Sequence, residues 1–181
     1  CLSDPVRGVR IEAARLLADV PRESLTPDAA AAREIATGEL EASLQLNADW
    51  PAENVNAGNL ALRRGEPQKA IKDYLHALEM DPRFIGAWVN LADVYRQLGR
   101  ESDAETVLKR GLSRLPESAD LHHSLGLLLI RTGDRDGAMN ALAKATTLAP
   151  DNARYSYVYA IGLHSAGKIG EAIHALREAD A

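Results

Sequence analysis

Cysteine is nearly absent: Cys1 is the only one in 181 residues, so no internal disulfide and no C-x-x-C-H haem attachment can form within them. No apolar run approaches the roughly 18 residues of a membrane helix, so insertion into a bilayer through these residues is not expected. Clustered cations are missing too. The 21 Lys plus Arg stand against 26 Asp plus Glu, and the longest basic runs are the pairs Arg63-Arg64 and Lys109-Arg110. Phosphate affinity depends on dense Lys and Arg, so neither DNA nor RNA is the expected partner. Aromatic residues make up 4% of the chain, and N-x-[ST] acceptors do not occur.

The residues that are abundant, Ala and Leu, suit helices that pack closely through small side chains. A compact chain of 19.5 kDa can bury around 70% of its unfolded surface without covalent staples. A repeat organises it. Gly65, Gly99, Gly133 and Gly167 follow one another at 34 residues, as do Ala70, Ala104, Ala138 and Ala172, and again Pro82, Pro116 and Pro150. Between each Gly and its Ala lie helix starts: GEPQKA, GRESDA, GDRDGA and GKIGEA. Each unit therefore reads as helix A, a turn at a positive-φ Gly, and helix B closed by Pro. The alanines mark places where two helices approach too closely for a larger side chain.

This pattern resembles the tetratricopeptide repeat. Its signature is carried in the unit 85–118 by Trp88, Leu91, Ala92, Tyr95, Gly99, Ala104, Leu108, Gly111 and Pro116. Unit 51–84 carries Ala57, Gly58, Ala70, Tyr74, Ala77 and Pro82, with Asn54 in place of the aromatic. Unit 119–152 has Leu125, Gly126, Leu129, Gly133, Ala138, Leu142, Ala145 and Pro150, with His122 at the aromatic position. Unit 153–181 has Tyr159, Ala160, Leu163, Gly167, Ala172, Leu176 and Ala179. The resemblance implies an all-α fold, a right-handed superhelical solenoid of antiparallel helix pairs with helix A on the concave side.

Residues 1–50 read as an N-terminal helical cap. Ser3, Asp4 and Pro5 are expected to open a helix bearing Val9, Ile11, Ala13, Ala14, Leu16 and Leu17, and the string D-P-V-R…A-A-x-x-L resembles the second helix of a HEAT repeat. Thr26-Pro27-Asp28 starts a longer helix reaching about Leu46, with Ala36, Leu40, Ser43 and Leu44 at helix-B positions of a degenerate half-repeat.

Catalytic, cofactor and metal sites are not expected. Gly162 to Lys168 satisfies G-x-x-x-x-G-K, but Ile169 stands where a Mg²⁺-holding Ser or Thr is needed, and Gly167 already serves as a turn. His122 and His123 point about 100° apart on a helix, without a Cys or carboxylate to complete a ligand set. No nucleophile, base and orienting group converge.

The polar residues of helix A that packing does not require are the expected contacts for a protein or peptide. Asn56 and Asn90 share the sixth position of consecutive units, Asn59 and Asp93 the ninth. Asn offers both donors and an acceptor, so a row of them suits the backbone of an extended segment. The resemblance adds that sixth-position ladders do this in some members, although Ser124 and Val158 end this one early. The chaperone-tail specificity fails, because Val55, Asp120 and Ser124 replace its cations. The wall continues through Arg63, Arg96, Gln97, His123, Leu127, Arg131, Tyr157 and Ile161, polar first and more apolar later.

The expected function is a non-catalytic scaffold that holds a protein segment in its groove, in the bacterial cytoplasm or periplasm. The alternatives are a structural array of a larger protein, a homodimer through the last helix with its Ile173 and Leu176, and the C-terminal tail of a multihaem cytochrome. That last likeness rests on the order of a HEAT-like helix, four repeats and the segment Arg154 to Tyr159.

Overall fold

A computed structural model describes residues 1–178, so Ala179, the last signature residue of the fourth unit, lies outside the described residues. These fold as ten α-helices and one 3₁₀ turn, with no strand among them. The chain divides into two compact units, Cys1–Ala87 and Trp88–Ala181.

In the first unit, α1 (Arg7–Leu16) and α2 (Pro27–Leu46) precede the first helix pair, α3 (Pro51–Arg63) and α4 (Pro67–Met80). The start of α1 differs from the sequence expectation. Asp4 Oδ1 accepts from the Val6 N–H at 2.9 Å, so Asp4 and Pro5 form a turn and Val6 is the residue before the helix. Val9 and Leu16 are exposed, and α1 buries Ala13 and Ala14 instead. Ala14 joins Ala36, Leu40, Leu44 and Leu60 in one apolar cluster. Arg10 adds a two-point clasp from α1 to α2, donating from Nε to Glu39 Oε2 at 2.9 Å and from Nη2 to Glu39 Oε1 at 2.6 Å. Thr26 caps α2 by accepting from the Ala29 N–H at 3.3 Å, where the sequence expects the helix to begin.

Within the α3–α4 pair, Tyr74 is wholly buried and lies over Gly58, where a Cβ would fall 2.5 Å from the ring. Its hydroxyl donates to Asn59 Oδ1 at 2.6 Å. Asn54 fills the aromatic position by a different device: it is buried and donates to the carbonyls of Ala48 at 2.7 Å and Trp50 at 3.1 Å.

The second unit holds α6 (Glu101–Arg114), α7 (Ala119–Thr132), α8 (Arg135–Leu148), α9 (Ala153–Ser165) and α10 (Ile169–Glu178). The unit boundary falls inside α5 (Ile85–Gln97). Helix α7 packs on α8 and α9 on α10, while α6 meets α7 and α8 meets α9, so each pair stacks on the next. A Cβ on Gly126 of α7 would lie 2.7 Å from Leu142 Cγ on α8, and one on Gly111 of α6 would lie 3.1 Å from both Trp88 and Leu121.

Gly65, Gly99, Gly133 and Gly167 have φ of 74°, 71°, 90° and 78°, the left-handed values that an A-to-B turn needs and that a Cβ opposes. Three of these turns also close with the same longer bond, from the N–H after the glycine to a carbonyl five residues back: Glu66 to Ala61 at 2.8 Å, Arg100 to Tyr95 at 2.8 Å and Lys168 to Leu163 at 2.9 Å. At Gly133 the following residue has another task, since Asp134 Oδ1 caps α8 by accepting from Gly137 N–H at 2.9 Å. Ala70, Ala104 and Ala138 are 0%, 1% and 0% exposed, buried where helices A and B meet.

Ala138→Leu is therefore expected to lower stability by about 1 to 3 kcal/mol through overpacking. Thermal melts of the whole chain check this, and an unchanged midpoint would contradict the close A/B approach.

Candidate functional site

The helix-A faces of the second unit bound a cavity of about 540 Å³. Its lining comes from α5 (Asn90, Asp93, Arg96), α7 (Asp120, His123, Ser124, Leu127, Arg131) and the start of α9 (Arg154, Tyr155), with Ala104 and Leu108 of α6 behind them. Of the residues that sequence reading assigns to the groove, Asn90, Asp93, Arg96, His123, Leu127 and Arg131 are thus gathered around one space. Gln97 stands just outside and donates to Asp93 Oδ2 at 2.7 Å. Tyr157 and Ile161 are 58% and 49% exposed on α9, beyond the cavity lining.

The other three assigned residues belong to the first unit. Asn56, Asn59 and Arg63 line a separate cavity of about 150 Å³ with Arg15, Leu40, Leu44 and Leu60. Asn56 donates to Glu53 Oε2 at 3.3 Å, and Arg63 donates to the Arg15 carbonyl at 2.6 Å, so Arg63 already ties α3 to α1.

Charge in the larger cavity is mostly held in internal pairs. Asp93 Oδ1 accepts from Arg96 Nε at 2.8 Å and Nη2 at 2.5 Å, three residues apart on one helix face. Arg131 of α7 pairs with Glu101 of α6, which ties one repeat to the next. Such exposed pairs contribute little to stability, but they fix where the guanidinium groups sit.

Beneath this layer lies a contact that joins the third and fourth repeats. The rings of His123 and Tyr155 stack with centroids 4.4 Å apart and planes at 27°. The Tyr155 hydroxyl donates to Asp120 Oδ1 at 2.5 Å, so α9 grips α7 through both the face and the tip of one side chain. Burial and the hydrogen bond to Asp120 push the Tyr155 phenol up to about 12. Burial, with help from the nearby Arg154 cation, pushes the His123 imidazole below its ordinary range, and Asp120 opposes this only in part.

Sequence reading did not assign Asp120, Ser124, Arg154 and Tyr155 to the site. A signal existed: Asp120 and Arg154 are 34 residues apart and therefore occupy the same position of adjacent repeats with opposite charge. Their meeting with His123 depends on a contact between repeats, which a single unit does not display.

The His123 shift makes a testable statement about acid stability. The folded state favours the neutral ring, so an unfolded chain takes up a proton below the ordinary histidine value of about 6.5. The stability this group contributes is complete above that pH and is lost as pH falls through the lowered folded value. The melting midpoint is expected to drop on acidification, with a shallower drop in His123→Phe, which keeps a ring on Tyr155; parallel curves for the two proteins would contradict the burial of a neutral imidazole.

Comparison with known proteins agrees with this architecture. Family models of the tetratricopeptide repeat match residues 61–128 and 119–152. Protein FlbA of Caulobacter vibrioides is 34% identical over 133 residues, covering 74% of this chain and 22% of that protein. The cytochrome c-type biogenesis protein CycH of Rhizobium meliloti is 31% identical over 131 residues, covering 68% of this chain and 34% of that one. This chain therefore spans about a third or less of the length of these two relatives. Among solved structures, YrrB, described as a TPR protein with an unusual peptide-binding site, shares the fold with a TM-score of 0.55 at 20% identity, over 93% of this chain and 82% of that one. The repeated turns, the small residues at each helix contact and the matches across residues 61–152 together make the chain a member of the tetratricopeptide-repeat family, whose members act as protein-interaction scaffolds.

Proposed function

We propose that the second unit binds an extended protein segment along the helix-A faces of α5, α7 and α9, and that the chain does so without catalysis. The observation that carries this reading is the 540 Å³ cavity, whose lining combines amide, hydroxyl and paired-charge groups with apolar Leu127 and Leu128. Ligand sites are commonly concave spaces in which a few placed polar groups interrupt an apolar wall. Leu127, Ile130, Tyr157 and Ile161 are 39%, 47%, 58% and 49% exposed on the same two helices, α7 and α9. Asn90 and Ser124 suit the main chain of the segment, and the exposed apolar residues suit one of its hydrophobic side chains. The peptide-binding site described for YrrB supports the same kind of ligand.

Peptides selected from a random display library against the whole chain test the proposal. The expected outcome is binding that weakens at least about tenfold in Leu127→Asp, roughly 1.4 kcal/mol, and less in Asn90→Ala. Selected peptides that bind both variants as well as the wild type would place recognition elsewhere.

A second reading has its own observation. Ile169, Ile173 and Leu176 are 56%, 47% and 43% exposed at a spacing that puts them on one face of α10. We propose that this face mediates self-association. Light scattering is expected to give a dimer mass that reverts to the monomer in Ile173→Asp; a monomer at high concentration would remove this reading.

A further inference from the structure

The next inference rests on the segment-binding reading and names the chemical group of the segment that the larger cavity receives. His123 is 4% exposed, and its two ring nitrogens are shut off from solvent with no hydrogen-bond partner among the described residues. An unpaired buried polar group is costly because its lost water bonds are not replaced, and native proteins leave few of them. This one borders an open space of about 540 Å³ on the helix-A faces. The structure thus keeps a polar ring at the edge of a binding cavity and gives it nothing to bind.

The ring's freedom is narrow. Tyr155 covers one face at 4.4 Å and is itself fastened to Asp120, so the ring plane is held. Rotation about the Cβ–Cγ bond remains, a broad two-fold torsion that exchanges the ring edges while the stack persists. Both nitrogens are enclosed in the present orientation, so a ligand in the cavity meets one only after this exchange of ring edges.

The charges around His123 decide what it offers. Asp120 and Arg131 come from α7, Arg154 and Tyr155 from α9, and Asp93 and Arg96 from α5. Arg96 is held by Asp93, Arg131 by Glu101, and Asp120 carries the Tyr155 hydroxyl. Arg154 has no hydrogen bond or ion pair among the described residues, and its cation opposes a positive charge on the ring. The imidazole is thus neutral near pH 7 and presents one donor and one acceptor. The two nitrogens face diverging directions on the five-membered ring, so one ligand group meets one of them at a time. A primary amide or a main-chain peptide unit can pair with either nitrogen, through its oxygen or its N–H, whereas a carboxylate serves the donor alone and sits beside Asp120.

We propose that His123 is the recognition residue of this cavity and that it takes a neutral amide of the bound segment, an Asn or Gln side chain or a peptide unit, in preference to a carboxylate.

Two arms test it on the whole chain. In the first, propionamide and the isosteric propionate are titrated while the ring resonances of His123 are followed by NMR, assigned by their absence in His123→Phe. Propionamide is expected to shift them and propionate to leave them in place; a null result with propionamide, or a larger shift with propionate, overturns the proposal. In the second arm, the display-selected peptide is measured against His123→Phe, which keeps the stack on Tyr155, and across pH. Affinity is expected to fall about tenfold in the variant, since a charged or absent imidazole has no acceptor. In the wild type it is expected to weaken as pH falls below about 6.5 and through the lowered value of the folded ring, and in His123→Phe to stay level. Unchanged affinity in His123→Phe beside a lost affinity in Leu127→Asp overturns the role of His123 while segment binding stands. Affinity that rises on acidification indicates a carboxylate ligand and overturns the class.

Discussion

The close approach of helices A and B at residues with little or no side chain is the constraint on which the rest depends. Gly58 under Tyr74 and Gly126 under Leu142 leave less than 3 Å for an added Cβ, and the alanines at the paired positions are buried completely or nearly so. Contact at that distance needs a turn that reverses the chain within a few residues. The glycines supply it, each with φ between 71° and 90°. A larger residue at either place separates the helices, and the next repeat then loses the surface on which it stacks.

Helix B of one pair meets helix A of the next, and the face of helix A that this contact leaves open presents polar and apolar side chains. In the second unit, α5, α7 and α9 do this around one cavity. The side chains that close its floor connect successive repeats: Tyr155 of α9 reaches both His123 and Asp120 of α7, and Arg131 of α7 reaches Glu101 of α6. Stacking and site are therefore built from the same contacts. The neutral, unpartnered imidazole is what this economy leaves over, a polar group whose position is set by packing and whose hydrogen bonds are not.

Much of the fold was legible in the sequence, because a 34-residue period in three residue types constrains the helices, turns and contacts of every unit at once. The four helix pairs and the four positive-φ glycines follow from it, while the start of α2 was legible from the local Thr26-Pro27-Asp28 cap. The start of α1 was not legible, since Asp-Pro serves equally as a helix opening and as a turn, and only the bond from Val6 to Asp4 separates the two. The site was half legible. The period together with the family resemblance assigned Asn90, Asp93, Arg96, His123, Leu127 and Arg131 to one wall, and they line one cavity. Tyr155 and Arg154 could not be assigned in this way, because what matters about them is which side chain of the preceding repeat they meet. Asn56, Asn59 and Arg63 share repeat positions with cavity residues, yet they line a smaller space against α1 and α2, which the repeat does not describe.

The most direct test of this account is amide hydrogen exchange on the whole chain with and without a bound segment. Binding is predicted to slow exchange in α5, in α7 and at the start of α9, with α6 and α8 changing least. Protection centred on α6 and α8 instead would mean that the helix-B faces carry recognition, and the account of how packing frees helix A for binding would be wrong.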